Sequence, residues 1–291
     1  MLKKSALALA TTATLLLAGC DDNGTTPEFV MYVTDGDALF VVNGSNPLIA
    51  DRLPLSGLNA GTQLYALDVN PKGGALNGLG SDGQAYLINV QTGAVEKKGT
   101  PDNTVVLTDR AVEMDYNPTV PNQQVYRYVT STGDNIRRND TTGAKVGTDS
   151  AFTYRTGDVN AGKSVVVSGI AYTNSQLNTA VPASTTVYAV DTVNDTLTVL
   201  GGNPANGAAC PNDTNPNCGQ LTTVGPVGFD ASGYVGFDIL GANTAYAVTF
   251  ANGSYNLYTV NLAASNTPRF EFKSIVNPGI SIVRAFAVQQ K

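Results

Sequence analysis

Five short turn signals, spaced 47 to 62 residues apart, constrain the fold of this chain more than any other feature. They are Asp35-Gly36, Asp82-Gly83, Thr132-Gly133, Asn194-Asp195 and Asn252-Gly253. Each lies at the centre of a segment rich in β-branched and aromatic residues. The segments are MYVTDGDALFVVNG (31–44), LNGLGSDGQAYLINV (76–90), YRYVTSTGDNIRRND (126–140), VYAVDTVNDTLTVLG (187–201) and AYAVTFANGSYNLYTVN (245–261). Gly, Asn and Asp tolerate the positive φ that two-residue hairpin turns demand, so each signal folds the chain back on an antiparallel neighbour. A further Asn or Gly closes the second arm, at Asn43, Asn89, Asn139, Gly201 and Asn261.

A hairpin recurring at this period, with strands on either side, describes four-stranded propeller blades rather than a sandwich. The inner strands precede most hairpins: YALDVNP (65–71), VEMDYNP (112–118), SGIAYTN (168–174) and VGFDILG (235–241). Outer strands follow, among them AVEKKGT (94–100) and QLTTVGP (220–226). No helical period of useful length appears beyond the N-terminal segment. The first unit lacks an inner strand, and the last is followed by a spare one, IVRAFAV (282–288). The expected fold is therefore an all-β propeller of five four-stranded blades, closed by the strand at 282–288, which removes the open edges of a linear array. The long segment 141–165 leaves room for a degenerate sixth blade.

The N-terminus predicts where such a domain would work. Lys3 and Lys4 precede an apolar run of residues 6–18, too short for the ~20 residues of a spanning helix. A basic start, a short apolar middle and a small-residue end form an export signal. Leu17-Ala18-Gly19-Cys20 resembles the lipobox of bacterial lipoproteins, which implies cleavage before Cys20 and lipidation of its thiol. The alternative is an ordinary signal peptide that happens to contain Cys20. The domain expectation is thus a signal at 1–19, a lipidated tether at 20–27 and one propeller at 28–291. Residues 21–27 reach at most ~25 Å when extended, so the propeller would sit close to a membrane surface. Under enteric sorting rules Asp21 after the lipidated Cys20 implies retention on the periplasmic face of the inner membrane; otherwise the outer membrane or cell surface is expected.

Composition removes several function classes. The chain contains no histidine, which excludes Ser-His-Asp and Cys-His catalysis and imidazole metal sites. Its net charge of −6 deepens to −8 once cleavage removes Lys3 and Lys4, a surface unsuited to nucleic acid. With Cys20 lipidated, the remaining cysteines are Cys210 and Cys218, in CPNDTNPNC. In an exported chain this pair reads as one local disulfide that pins a loop. The stretch 212–215 is rich in Asn and Asp but lacks the spacing of a known Ca2+ loop.

Aligning the inner strands places Asp68, Asp115 and Asp238 at one position, with Ala171 and Phe286 at that position in the other two blades. Because inner strands line the axis, the three carboxylates are expected to converge there. They could bind a hard cation such as Ca2+, or they could accept backbone N–H groups and fix the turns between blades. Asn70 and Asn117, each followed by Pro, read as turn residues. Arg127 and Arg137 face each other across the third hairpin, near Arg138. They could hold a bound carboxylate or phosphate, or pair with Asp115, Asp134 or Asp140. Glu113 and Asp115 share a strand face and form the one carboxylate pair suited to glycosidase-type hydrolysis.

Several motifs resemble a bacterial family of exported propeller-like domains catalogued only as a domain of unknown function. They include LNGLGSDGQAYLINVQTG (76–93), DYNP (115–118), STGDNIR (131–137), GDVNAG (157–162), AYTN (171–174), LTTVG (221–225) and GFDI (236–239). Where that family tends to carry Asp-Arg before the third hairpin, this chain has Gln124-Val125. The resemblance implies the fold and no activity. The functional expectation is a membrane-anchored, non-enzymatic scaffold that presents a ring face to an envelope protein or glycan. The alternative is a carboxylate- or metal-dependent hydrolase at the channel mouth.

Overall fold

The computed structural model describes residues 28–104, 107, 111–177, 180–201, 215–276 and 279–291. The signal, the tether, Cys20 and Cys210 lie outside the described residues, and so does most of the 212–215 stretch.

The strands form five sheets, each ordered as a meander from the axis outward. Blade I takes its inner strand from the far end of the chain, Ala285–Gln290, followed by Phe29–Thr34, Ala38–Asn43 and Ala50–Pro54. Blade II is Leu64–Val69, Leu76–Gly80, Ala85–Ile88 and Val95–Lys98. Blade III is Val112–Tyr116, Val125–Thr130, Asn135–Asn139 and Lys145–Thr148. Blade IV is Val167–Tyr172, Val187–Asp191, Thr196–Leu200 and Gln220–Pro226, and blade V is Val235–Leu240, Thr244–Ala251, Ser254–Val260 and Phe270–Ile275. The ring closes as the spare strand requires: the C-terminal strand pairs antiparallel with the first, from Phe29 opposite Gln290 to Thr34 opposite Ala285.

Segment 141–165 holds no sixth blade. It supplies the outer strand of blade III and a two-residue strand, Thr153–Tyr154, which runs parallel to Gln220–Leu221 outside blade IV. That addition gives blade IV a fifth strand and covers an edge that would otherwise be open.

The turn chemistry behaves as the sequence predicts. Asp195 and Asn252 sit at φ of 49° and 54°, in the left-handed region that Asp and Asn tolerate. Gly83 is obligatory for a second reason: at its φ of 73°, an added Cβ would lie 2.2 Å from the Asp102 carbonyl oxygen. The asparagines that close the third strands use their side chains as turn formers. Asn43, Asn89, Asn139 and Asn261 accept backbone N–H groups from Ser45, Gln91, Thr141 and Ala263 at 2.9–3.0 Å.

Five apolar clusters fill the five spaces between neighbouring blades. Phe29, Met31 and Phe286 of blade I meet Tyr246 and Val248 of blade V. The corresponding seams are Leu197 and Val190 with Phe237, Tyr32 and Leu39 with Leu67 and Tyr86, Leu79 with Met114 and Tyr128, and Val129 with Ile170 and Leu200. Each sheet is thus covered on both faces. Inner strands such as LYALDV are therefore buried at every position and show no polar–apolar alternation.

Candidate functional site

An inner strand has one edge with no partner in its own sheet. The amides of Asn70, Asn117 and Thr173 point the other way and bond within their blades, to the carbonyls of Ala75, Val125 and Thr186. Hydrogen bonding alternates along a strand, so the amides one residue earlier, Val69, Tyr116 and Tyr172, face inward. Buried there, they need acceptors.

Three aspartates supply them. Asp68 Oδ2 accepts from Tyr116 of the next blade at 2.7 Å. Asp115 Oδ2 accepts from Tyr172 at 3.1 Å, and Asp238 Oδ2 from Val288 at 2.7 Å. In two blades the aligned position is alanine, so the next blade's amide has no carboxylate reaching across to it. In both cases the receiving blade's own aspartate takes it: Asp68 Oδ1 accepts from Val69 and Asp238 Oδ1 from Ile239, each at 2.6 Å. Five inward amides, one per blade, are satisfied by three side chains.

This pattern corrects one alignment. Each aspartate bonds the residue after the aligned position in the next blade, and Asp238 bonds Val288, so the blade I position is Ala287 and not Phe286. Phe286 instead packs in the seam between blades V and I.

Of six carboxylate oxygens, five accept an amide, while Asp115 Oδ1 is buried with no hydrogen-bond partner. One oxygen from each aspartate lies within 4.8 Å of the others. Burial pushes all three acids up, Asp238 to about 6; the Asp238 charge adds to the rise at Asp68, and the charges of Asp68 and Asp238 add to the rise at Asp115. Glu113, two residues from Asp115, is 1% exposed and is also raised by burial. The Tyr234 hydroxyl donates to its Oε2 at 2.6 Å.

The channel has two unlike ends. On the face that carries the hairpin turns, a funnel of about 500 Å³ is lined by Ser131, Thr192, Tyr234, Tyr255, Ile282 and Arg284. Tyr234 lies between this funnel and Glu113. At the opposite end a cavity of about 20 Å³ touches Asp68 and Asp238, with Gln176 and Gln289 on its rim. A separate cleft of about 630 Å³ opens between blades I and V beside Phe29, Pro47 and Tyr246, and nothing in the linear pattern marks it.

The arginines are engaged by the protein itself. Arg137 makes two bonds of 2.8 Å to Asp149, and Arg127 reaches the same carboxylate at 2.7 Å. Arg127 also donates to Asn135, Tyr172 and Asn217. The facing pair is thus real, but the anion between it is the chain's own Asp149, not Asp115, Asp134 or Asp140. Arg138, fully buried, donates to the carbonyls of Gly83, Thr100 and Gly143 and staples blade II to blade III. Asp140 bonds Lys98 at 2.7 Å. Cys218 is buried at the end of the short turn Pro216–Cys218, and the other half of the expected disulfide, Cys210, lies outside the described residues.

No curated protein matches the chain. Solved structures that resemble it include a chain of the mitotic checkpoint complex, 13% identical with a TM-score of 0.45, covering 98% of this chain and 93% of that one. U3-55K is 12% identical at a TM-score of 0.37, over 70% of this chain, which spans 50% of its length. The WD40 repeats of RRP9 are 13% identical at 0.36, over 78% of this chain and 52% of that one. At the level of sequence, one family model matches residues 38–275, from the third strand of blade I to the outer strand of blade V. The chain belongs to that family, described as Domain of unknown function (DUF4394).

Proposed function

We propose that this protein is an exported, lipid-anchored propeller of the bacterial cell envelope that binds an envelope partner, protein or glycan, at its turn face and does no chemistry on it. The observation that carries the binding reading is the funnel over a sealed axis. Tyr234, Tyr255 and Arg284 offer aromatic and cationic contacts at an open mouth, while the acids below are buried and bonded to the fold. Aromatic and Arg side chains at a concave site are the usual anchors of recognition. The anchor rests on the lipobox-like Leu17-Ala18-Gly19-Cys20, and Asp21 favours the periplasmic face of the inner membrane where enteric sorting applies.

Two measurements test the two halves. The wild-type chain, expressed in a bacterial host, should incorporate labelled fatty acid and fractionate with membranes, while Cys20→Ala should be released after export. A Cys20→Ala form that stays membrane-bound would contradict the anchor. A photo-crosslinker placed at Thr192 should form a discrete adduct with an envelope component, whereas one at the exposed Lys97 on an outer strand should not. Equal labelling from both positions would contradict a turn-face site.

A second reading draws on Glu113, a raised acid directly beneath the funnel floor. A hydrolase of glycosidase type would use Glu113 as acid with Asp115 beside it. It would require the Tyr234 hydroxyl to leave Oε2 before a substrate arrives. Turnover of a chromogenic glycoside that disappears in Glu113→Gln would favour this reading over the scaffold.

A further inference from the structure

We infer that Asp68, Asp115 and Asp238 hold one divalent cation of the calcium class on the propeller axis, at the end opposite the funnel. Three observations converge on it. First, one oxygen from each carboxylate lies within 4.8 Å of the other two. Ligands on opposite sides of a Ca2+ ion, with bonds of 2.3–2.6 Å, are about 5 Å apart, so one ion can reach all three.

Second, the amide pattern leaves a specific vacancy in the bonding. Five inward amides orient five oxygens, and Asp115 Oδ1, on a residue 2% exposed, is left with no donor. Asp115 Oδ2 is held by Tyr172, which leaves Oδ1 as the oxygen available to the shared centre. An unpaired carboxylate oxygen at this depth, beside two further acids, calls for a positive group.

Third, the cavity of about 20 Å³ touching Asp68 and Asp238 has room for about one water or ion. The donors are all oxygen, which selects a hard cation. Mg2+ dehydrates reluctantly and usually keeps several waters, for which a cavity of this size has no space. Ca2+ accepts an irregular shell of about 6–8 oxygens, which the three carboxylates would supply by binding through both oxygens, the amide-bonded ones shared, with one water from the cavity.

The location gives the ion a task. Asp238 bonds Val288 on the C-terminal strand, so a cation held by Asp238 would tie the closing strand to blades II and III through Asp68 and Asp115. The ion would lock the ring at the point where the two chain ends meet.

The test uses the full chain, stripped with chelator and titrated with Ca2+ by calorimetry and with Tb3+ by luminescence. The chain has no tryptophan, so Tb3+ emission excited at the aromatic band must come through tyrosine; Tyr116 and Tyr172 donate their amides to the proposed ligands. One equivalent of Ca2+ should bind, displace tyrosine-sensitised Tb3+ and raise the melting temperature. Asp115→Asn keeps an oxygen for the Tyr172 amide, yet should weaken Ca2+ by more than about 100-fold, beyond what loss of an outer-sphere partner costs. Unchanged Ca2+ affinity in Asp115→Asn would overturn the site. So would a wild-type chain that binds neither ion, in which case protons neutralise the cluster. Should Asp115→Asn fail to fold, the wild-type luminescence decides: bound Tb3+ without tyrosine-sensitised emission places the ion elsewhere and overturns the proposal.

Discussion

A chain ending at residue 281 is expected not to fold cooperatively. The deletion removes the inner strand Ala285–Gln290, six residues paired along their whole length with Phe29–Thr34. It takes Val283, Phe286 and Val288 from the seam between blades V and I, and Ala285 and Ala287 from the seam between blades I and II. Burial of each large apolar side chain stabilises by about 1.5–3 kcal/mol. The three together, before any backbone bond is counted, amount to a large part of the ~5–15 kcal/mol by which a domain is stable. The truncation also exposes the edge of Phe29–Thr34 and leaves Asp238 without Val288. Circular dichroism should show a broad, non-cooperative transition and a strong tendency to aggregate. A sharp melt within a few degrees of the full chain would mean that the ring does not depend on its closing strand.

Asp238→Ala should be the most damaging single change on the axis. It strands the amides of Ile239 and Val288, both buried on an inner strand edge that has no partner strand. A buried donor left unpaired costs about 1–3 kcal/mol, so two cost about 2–6 kcal/mol. At roughly 2–4 °C per kcal/mol for a chain of this size, the melting temperature should fall by about 10 °C. One effect opposes this: the Asp238 charge pushes Asp68 and Asp115 upward, and its removal relieves that repulsion. Asp238→Asn separates the two, because it removes the charge but retains one acceptor oxygen. In chelator, Asn should therefore melt between Ala and wild type or above wild type, and Ala should melt lowest. If Ala proves as stable as wild type, charge repulsion outweighs the amide bonds and the aspartates do not hold the blades.

The blade pattern was legible because it rests on local chemistry. A turn such as Asn252-Gly253 needs positive φ whatever surrounds it, and strand runs beside it follow from the same few residues. Ring closure was legible by counting, since one inner strand was missing and one was spare. The aligned aspartates could likewise be found, but their bonding could not. Their partners are backbone amides of other blades, and a sequence carries no label for an amide that lacks a partner in its own sheet. The same limit explains the one-residue error at Phe286: strand alignment fixes the face only when register is known. Asp149 was missed because it lies one residue past an outer strand whose pairing, Arg137 opposite Gly147, had to be known first. The segment 141–165 was ambiguous for a related reason, as a two-residue parallel strand has almost no sequence pattern. The funnel is assembled from residues of four blades, in runs no longer than 282–284, too short to mark it in the sequence.

Hydrogen exchange of five amides tests the central claim most directly, that three aspartates bind the inner edges of five blades. Val69, Tyr116, Tyr172, Ile239 and Val288 lie on strand edges with no strand partner, and such amides ordinarily exchange quickly. The account predicts that all five exchange as slowly as the paired amides of the same strands, and that Asp238→Asn accelerates Ile239 and Val288 more than Tyr172. Fast exchange at these five positions in the wild-type chain, alongside protected neighbours, would contradict it.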